Sequence, residues 1–313
     1  MNLQTLIKWA LGFPKRAYTV MELRTGFATG LPIFSTSLFA SFLTGRLNVL
    51  YLVLFFICGF SFNIVANVAN EIRAFMKNEE SEETFTRHLG SEGLVRGDAT
   101  FLDACLVLLA WIALGGLTGL ALVYLTKSLG LFLLGLLGLL AAITYSLGPF
   151  AYIVLPVGEL VSGLLVGGLS SLVAFWLQTG TLTKEAYLYA FICMMLTVFL
   201  MSTNNTGDYD KDQGVRKTLP HIIGFRNSIL LMIPEGILVL IAWSYLSFSV
   251  LLWWQSLIGF IIFFIQGYLR WLKDYLKIQE VYPEMGRDFG PRPLLLIRSF
   301  HFIMGLSFLI TIL

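Results

Sequence analysis

The chain has 313 residues, of which 57% are hydrophobic and only 13% charged, and a formal net charge of +2. Soluble domains carry about 25% charged residues, so this composition excludes an ordinary water-soluble core. The small net charge also removes the electrostatic basis for nucleic-acid binding.

The first sixteen residues, MNLQTLIKWALGFPKR, do not read as a signal peptide, because the apolar stretch is short, interrupted by Lys8 and closed by Pro14. Leu3, Leu6, Ile7, Ala10 and Leu11 share one helical face beside Trp9, which predicts an interfacial helix over 1–20 lying on the membrane. Uncharged runs then follow at 25–45, 47–70, 104–126, 128–158, 160–183 and 186–207. Residues 227–269 hold one charge, Glu235, and Pro293 to Leu313 tolerate Arg298 near their start. A helix needs about 20 apolar residues to cross the hydrocarbon. One span per run, two in 227–269 and a last one at the end predict an all-α polytopic membrane protein of about nine transmembrane helices, with 21–313 forming a single domain. Strand alternation of the membrane-barrel kind is absent. Cys58, Cys105 and Cys193 all fall inside apolar spans without ligand spacing and read as small packing residues. The glycines of spans 4 and 5 read as close helix packing.

With connections alternating between sides, one side receives every Lys and Arg except Arg46, Lys127 and Lys184. The positive-inside rule makes that side cytoplasmic. The N-terminus is then inside, the C-terminus outside, and the polar stretches 71–103, 208–226 and 270–292 all face the cytoplasm of a plasma-membrane protein.

Two of those stretches begin with a polar helix end. The sixth span runs out as TNNTGDYDKDQGVRKTLPHIIG. Asn204, Asp208 and Asp212 recur every four residues and stack on one helical face, with Asn205 and Asp210 beside it and Arg216 and Lys217 just beyond. Carboxylates on one face suit Mg²⁺, which takes one or two of them and completes its shell from substrate phosphates. Arg and Lys neutralise the remaining phosphate charge. The second span ends as NIVANVANEIRAFMKNEESEE, where Asn63, Asn67, Asn70 and Glu71 share a face. Those asparagines either bond neighbouring helices or line a site. Because the two polar ends lie four spans apart, they fall on the same side of the membrane, as in two parallel half-repeats.

DYDKD, preceded by paired asparagines and followed by RKTL, resembles the second aspartate-rich motif of the UbiA superfamily of intramembrane prenyltransferases, and the second span resembles the first motif. YSLGPFAYIVLPVGEL, with Tyr145, Gly148, Pro149, Tyr152, Gly158 and Glu159, resembles the branch that prenylates 1,4-dihydroxy-2-naphthoate in menaquinone synthesis. MELRTGFATGLP, with Arg24 and Pro32, is similar to that branch's first helix. At the first motif Asn67 and Asn70 match, while Glu71 stands where the family has its first Asp and Ala74 where it has the second.

The resemblance implies transfer of a polyprenyl group from polyprenyl diphosphate to an aromatic acceptor, with Mg²⁺ as cofactor. Asp208, Asp212 and Glu71 become the expected metal ligands, the longer Glu71 stem moving its oxygens by about one methylene. Losing the acid at Ala74 is expected to weaken metal or diphosphate binding. Asn67, Asn70 and Asn204 line the same site, and Arg216 and Lys217 face the leaving diphosphate. Tyr145 and Tyr152 either offer π-faces to an allylic cation or are interfacial tyrosines. Glu159 and Glu235 either orient the acceptor's hydroxyl or act as base; Glu159 is equally suited to a helix's first turn, and the favoured reading of Glu235 is a pairing with an internal polar group or a water near the Pro234 break. Arg24 is either the partner of an acceptor carboxylate or a snorkelling arginine. Asp103 reads as a helix-start residue, and His221 as a loop residue. A UbiA-like enzyme with another aromatic acceptor, and a membrane carrier, are the competing readings.

Overall fold

The structure is a computed structural model and describes residues 3–79, 92–149, 151–278 and 291–313. Within the acidic and basic stretches singled out above, Glu80, Glu82, Glu83, Arg87 and Arg287 lie outside the described residues. Among the described residues there is no strand. The helices are α1 (Leu3–Met21), α2 (Leu23–Thr44), α3 (Val49–Lys77), α4 (Phe101–Thr126) and α5 (Leu129–Thr144), followed by α6 (Gly158–Thr179), α7 (Lys184–Gly207), α8 (Leu219–Ile223), α9 (Phe225–Ser249), α10 (Trp253–Asp274) and α11 (Pro291–Ile312). The all-α expectation holds. The chain is an integral, multi-pass membrane protein: eight described helices are long and apolar enough to cross a bilayer, and α5 is a shorter apolar ninth.

The fourth span departs from its expected length. The uncharged run 128–158 continues well past Thr144, but the helix stops there after 16 residues. Gly148 has φ +91°, a backbone that ends helical winding, and Pro149 follows it. At 1.5 Å per residue α5 is about 24 Å long. The long 227–269 run divides as expected, with the break at Val250 to Leu252 between α9 and α10.

The chain forms two compact units. One contains Met1–Phe27 and Ile57–Ala151, the other Ala28–Phe56 and Tyr152–Leu313, so α2 and α3 each contribute to both. In the first unit, Ile64, Val68 and Ile72 of α3 pack with Val20, Leu94, Ala104 and Val107. Thr100 and Asp103 form a capping box at the start of α4, which bears out the helix-start reading of Asp103. The same carboxylate takes a two-point ion pair from Arg16 of α1, with Nε to Oδ2 at 2.9 Å and Nη2 to Oδ1 at 3.1 Å. That bidentate geometry ties the N-terminal helix to α4. The outward leucines of α4 and α5, among them Leu109, Leu117, Leu129 and Leu133, are exposed as a lipid-facing surface requires.

The second unit is built on α7, whose Tyr189, Ile192, Leu196 and Phe199 are fully buried. Phe39 stacks on Tyr189 with centroids 4.5 Å apart, and Phe308 closes the cluster. Helix α6 contains a π-helical turn, Gly163–Leu169, which lies against α7. A Cβ added to Gly167 would sit 2.3 Å from the Cys193 carbonyl oxygen, and one added to Gly163 2.3 Å from Val198 Cγ2. The backbones touch here because no side chain intervenes. Span 4 differs: nothing lies within 4 Å of a Cβ built at Gly135, so close packing explains Gly163 and Gly167 of span 5 but not that one.

Candidate functional site

In the second unit the polar end of α7 is a continuous hydrogen-bonded stack. Asp208 N donates to Asn204 O at 2.9 Å, Asp212 N to Asp208 O at 2.9 Å, and Arg216 N to Asp212 O at 3.0 Å. The α-helix proper ends at Gly207, yet these bonds keep helical spacing. Asn204, Asp208 and Asp212 therefore succeed one another at the spacing of four that the sequence shows, and Arg216 follows beyond Gly214, whose φ is +80°. Asp212 is buried, and its Oδ1 lies 3.7 Å from Arg216 Nε. Lys217 is exposed. Its N–H donates to Val154 O at 3.3 Å, joining the second acidic stretch to the short 3₁₀ turn Tyr152–Val154. Tyr152 opens that turn, half-buried.

Deeper along α7 the polar groups continue. Asn205 Nδ2 donates to Glu159 Oε1 at 2.7 Å, and one turn further in Ser202 Oγ donates to Glu235 Oε1 at 2.7 Å. Both glutamates are buried, and the second oxygen of each has no hydrogen-bond partner among the described residues. Polar groups of this kind inside a span are costly and mark function. Glu159 does stand in the first turn of α6, and it also points at the α7 face. Glu235 follows Pro234, and Tyr268 Oη donates to the carbonyls of Met232 and Ile233 at this proline break, at 3.2 and 2.7 Å. Sequence reading set Asn205 beside the acidic face and missed Ser202; a small hydroxyl three residues before a paired asparagine was the available signal.

His221 stands in the short helix α8 rather than in a loop, and both of its ring nitrogens are engaged. Its Nε2 lies 2.9 Å from Tyr209 O and its Nδ1 2.8 Å from Thr218 Oγ1. A carbonyl only accepts, so Nε2 carries the proton.

The first unit holds Arg24, Asn67, Asn70, Glu71 and Tyr145. Arg24, in the first turn of α2, is exposed. Asn67 Nδ2 donates to Thr25 Oγ1 and, at 3.3 Å, to Asn63 Oδ1, so this face bonds a neighbouring helix. Asn70 is half-buried on α3, and Tyr145 closes the end of α5 with its N–H on Ala141 O at 2.8 Å. The Glu71 carboxylate is buried and already engaged: Oε2 accepts from Glu92 N at 2.9 Å and Oε1 from Leu94 N at 2.8 Å. Ala74 is buried too. Arg73 reaches Ser146 O at 3.2 Å and Glu79 Oε1 at 2.8 Å. Among the described residues no three Asp, Glu, His or Cys side chains converge as a closed metal cage.

Helices of bilayer length, with carboxylates, amides and basic groups gathered at their ends, define a polytopic membrane protein of the intramembrane-enzyme kind. Residues 31–286 match the UbiA prenyltransferase family, and the chain belongs to that family. It is 27% identical over 209 residues to 1,4-dihydroxy-2-naphthoate octaprenyltransferase of Bacillus subtilis (strain 168), covering 66% of this chain and 65% of that protein. It is 29% identical over 177 residues to the protein of the same name from Escherichia coli (strain K12), covering 54% of this chain and 56% of that one. The chain thus spans less than two thirds of the length of the curated relatives it matches. Among solved structures, a UbiA homolog from Archaeoglobus fulgidus bound to GPP and Mg²⁺ has the same fold, with TM-score 0.66 at 15% identity over 94% of this chain and 99% of that one. A UbiA homolog from Aeropyrum pernix K1 gives 0.65 at 15% identity over 92% and 98%.

Proposed function

We propose that this protein transfers a polyprenyl group from its diphosphate to an aromatic acceptor, 1,4-dihydroxy-2-naphthoate, as a step of menaquinone biosynthesis. The observation that carries the reading is the stack Asn204, Asp208, Asp212, Arg216, linked at helical spacing and fastened through Lys217 to the turn that Tyr152 opens. Two carboxylates four residues apart, with no closed cage among the described residues, fit Mg²⁺ by the chemistry of the donor set, since that ion takes few protein ligands and keeps sites for phosphate and water. Asp208 and Asp212 would hold it, with Asn204 beside them. Bound there, it would neutralise charge that builds on the leaving diphosphate.

The chain's own groups do the rest. Arg216 and Lys217 bind the diphosphate oxygens as charge develops on them. Tyr152 offers its π-face or hydroxyl to the allylic end. The unpaired oxygens of Glu159 and Glu235 orient the acceptor's hydroxyl groups. Arg24 pairs with the acceptor's carboxylate, and the surrounding apolar helices exclude water. The relatives named for the naphthoate reaction support this acceptor. The test offers 1,4-dihydroxy-2-naphthoate and 4-hydroxybenzoate in parallel, with one polyprenyl diphosphate and Mg²⁺. Product from the naphthoate, with a raised acceptor KM in Arg24→Ala, supports the reading. Product from hydroxybenzoate alone moves the assignment to another acceptor, and no product from either removes it.

A further inference from the structure

Glu71 occupies the position at which an acid is expected to ligate magnesium, but its surroundings have a different logic. Both oxygens are taken by backbone donors of one short segment, Glu92 N at 2.9 Å and Leu94 N at 2.8 Å. That segment needs the support. Glu92 has φ +59°, a left-handed backbone that a residue with a β-carbon seldom adopts. Its side chain is also occupied, by Arg96 at 3.0 Å. Gly93, between the two donors, bonds onward to α1: its N–H donates to Thr19 O at 3.2 Å, and a Cβ there would lie 2.2 Å from Thr19 Oγ1. Glu71 thus grips the 92–94 segment, and that segment grips the end of α1. One turn earlier on the same face, Asn67 bonds Thr25. The polar face of α3 holds both sides of the α1–α2 corner, the corner that carries Arg24.

We infer that Glu71 is a positioning residue for the 92–94 segment and the 19–25 corner, and not a magnesium ligand. Reach decides why it is Glu. The two donors are backbone N–H groups of a separate segment, so a side chain one methylene shorter leaves them unsatisfied in a buried place. A metal-ligating position has the opposite tolerance, because Asp and Glu both offer a hard carboxylate whereas an amide loses the charge. Ala74, one turn minus one residue along, adds no second acid. The consequence for the metal rests on the proposed function, with Asp208 and Asp212 as its carboxylates; the anchor itself rests on geometry alone.

The test compares Glu71→Gln, Glu71→Asp and Glu71→Ala with the parent protein, reading amide hydrogen exchange over residues 92–94 in EDTA and in Mg²⁺. Exchange in the parent should be slow in both conditions. Glu71→Gln, which keeps one acceptor oxygen at full reach, should remain partly protected, and Glu71→Asp and Glu71→Ala should lose protection. In turnover, Glu71→Gln should keep the Mg²⁺ half-saturation within about twofold while raising the acceptor KM several-fold, the pattern of lost positioning rather than lost metal. A Mg²⁺ requirement raised about tenfold or more in Glu71→Gln, with parental behaviour in Glu71→Asp, would assign Glu71 to the metal and overturn the inference. So would protection at 92–94 that needs Mg²⁺, or an acceptor KM that stays put in Glu71→Gln. The exchange arm uses no substrate. A parent protein that makes no product defeats the functional assignment and leaves the anchor standing.

Discussion

His221 lies flat against Tyr209, their ring centroids 4.7 Å apart and their planes 8° from parallel, while the imidazole Nε2–H reaches the Tyr209 carbonyl at 2.9 Å. Tyr209 also makes an edge-type contact with Phe225, the ring centroids 5.8 Å apart. Tyr209 sits between Asp208 and Asp210, so this contact fixes the backbone that aims the acidic stretch. His221→Phe keeps the stack and removes both hydrogen bonds, each worth about 1 kcal/mol. The expected result is a rise of about tenfold in the donor KM and in the Mg²⁺ requirement with an unchanged acceptor KM. Equal movement of all three would mean that the ring only supports the fold.

Asp208→Ala, Asp212→Ala and Arg216→Ala should each lower kcat by about 10²–10³. Asp212 is buried, so Asp212→Asn is the control that preserves shape while removing charge. Chelation should abolish turnover and Mg²⁺ should restore it. Near-parental kcat in Asp208→Ala and Asp212→Asn would remove the acidic stack from the chemistry.

Gly167→Ala drives a methyl group into the Cys193 carbonyl, 2.3 Å away, and Thr197 Oγ1, 2.6 Å away. Overpacking of this kind costs about 1–3 kcal/mol, read as a lowered Tm in detergent. Gly116→Ala meets nothing within 4 Å and gains helix propensity, so its Tm should hold or rise. An unchanged Tm in Gly167→Ala would show that α6 and α7 separate freely, and a matching loss in both variants would show that the cost does not come from this contact.

The orientation is tested with single cysteines at Leu182 and Gln213, both exposed. Gln213 is preferable to its neighbour Gly214, whose φ of +80° suits no side chain. A membrane-impermeant thiol reagent should label Leu182→Cys in intact cells and Gln213→Cys only after permeabilisation. The reverse pattern would invert the topology and move the acidic stretch to the outer face.

Much of this protein follows from local patterns. Span positions were legible because about 20 apolar residues must be continuous to cross a bilayer, and the Asn204, Asp208, Asp212 array because a period of four is a property of one helix. Asp103 was legible as a helix start for the same local reason, its capping partner Thr100 being three residues away. What the chain does with Glu71 was not legible. Its partners Glu92 and Leu94 lie 21 and 23 residues on, and no periodicity announces which backbone N–H a buried carboxylate will find. The pairing of Asn205 with Glu159 across 46 residues, and the mutual hold of His221 and Tyr209, have the same origin. Composition and period determine which residues can be buried together; only the closed tertiary structure decides which donor meets which acceptor, because that choice is made by packing between segments distant in the chain.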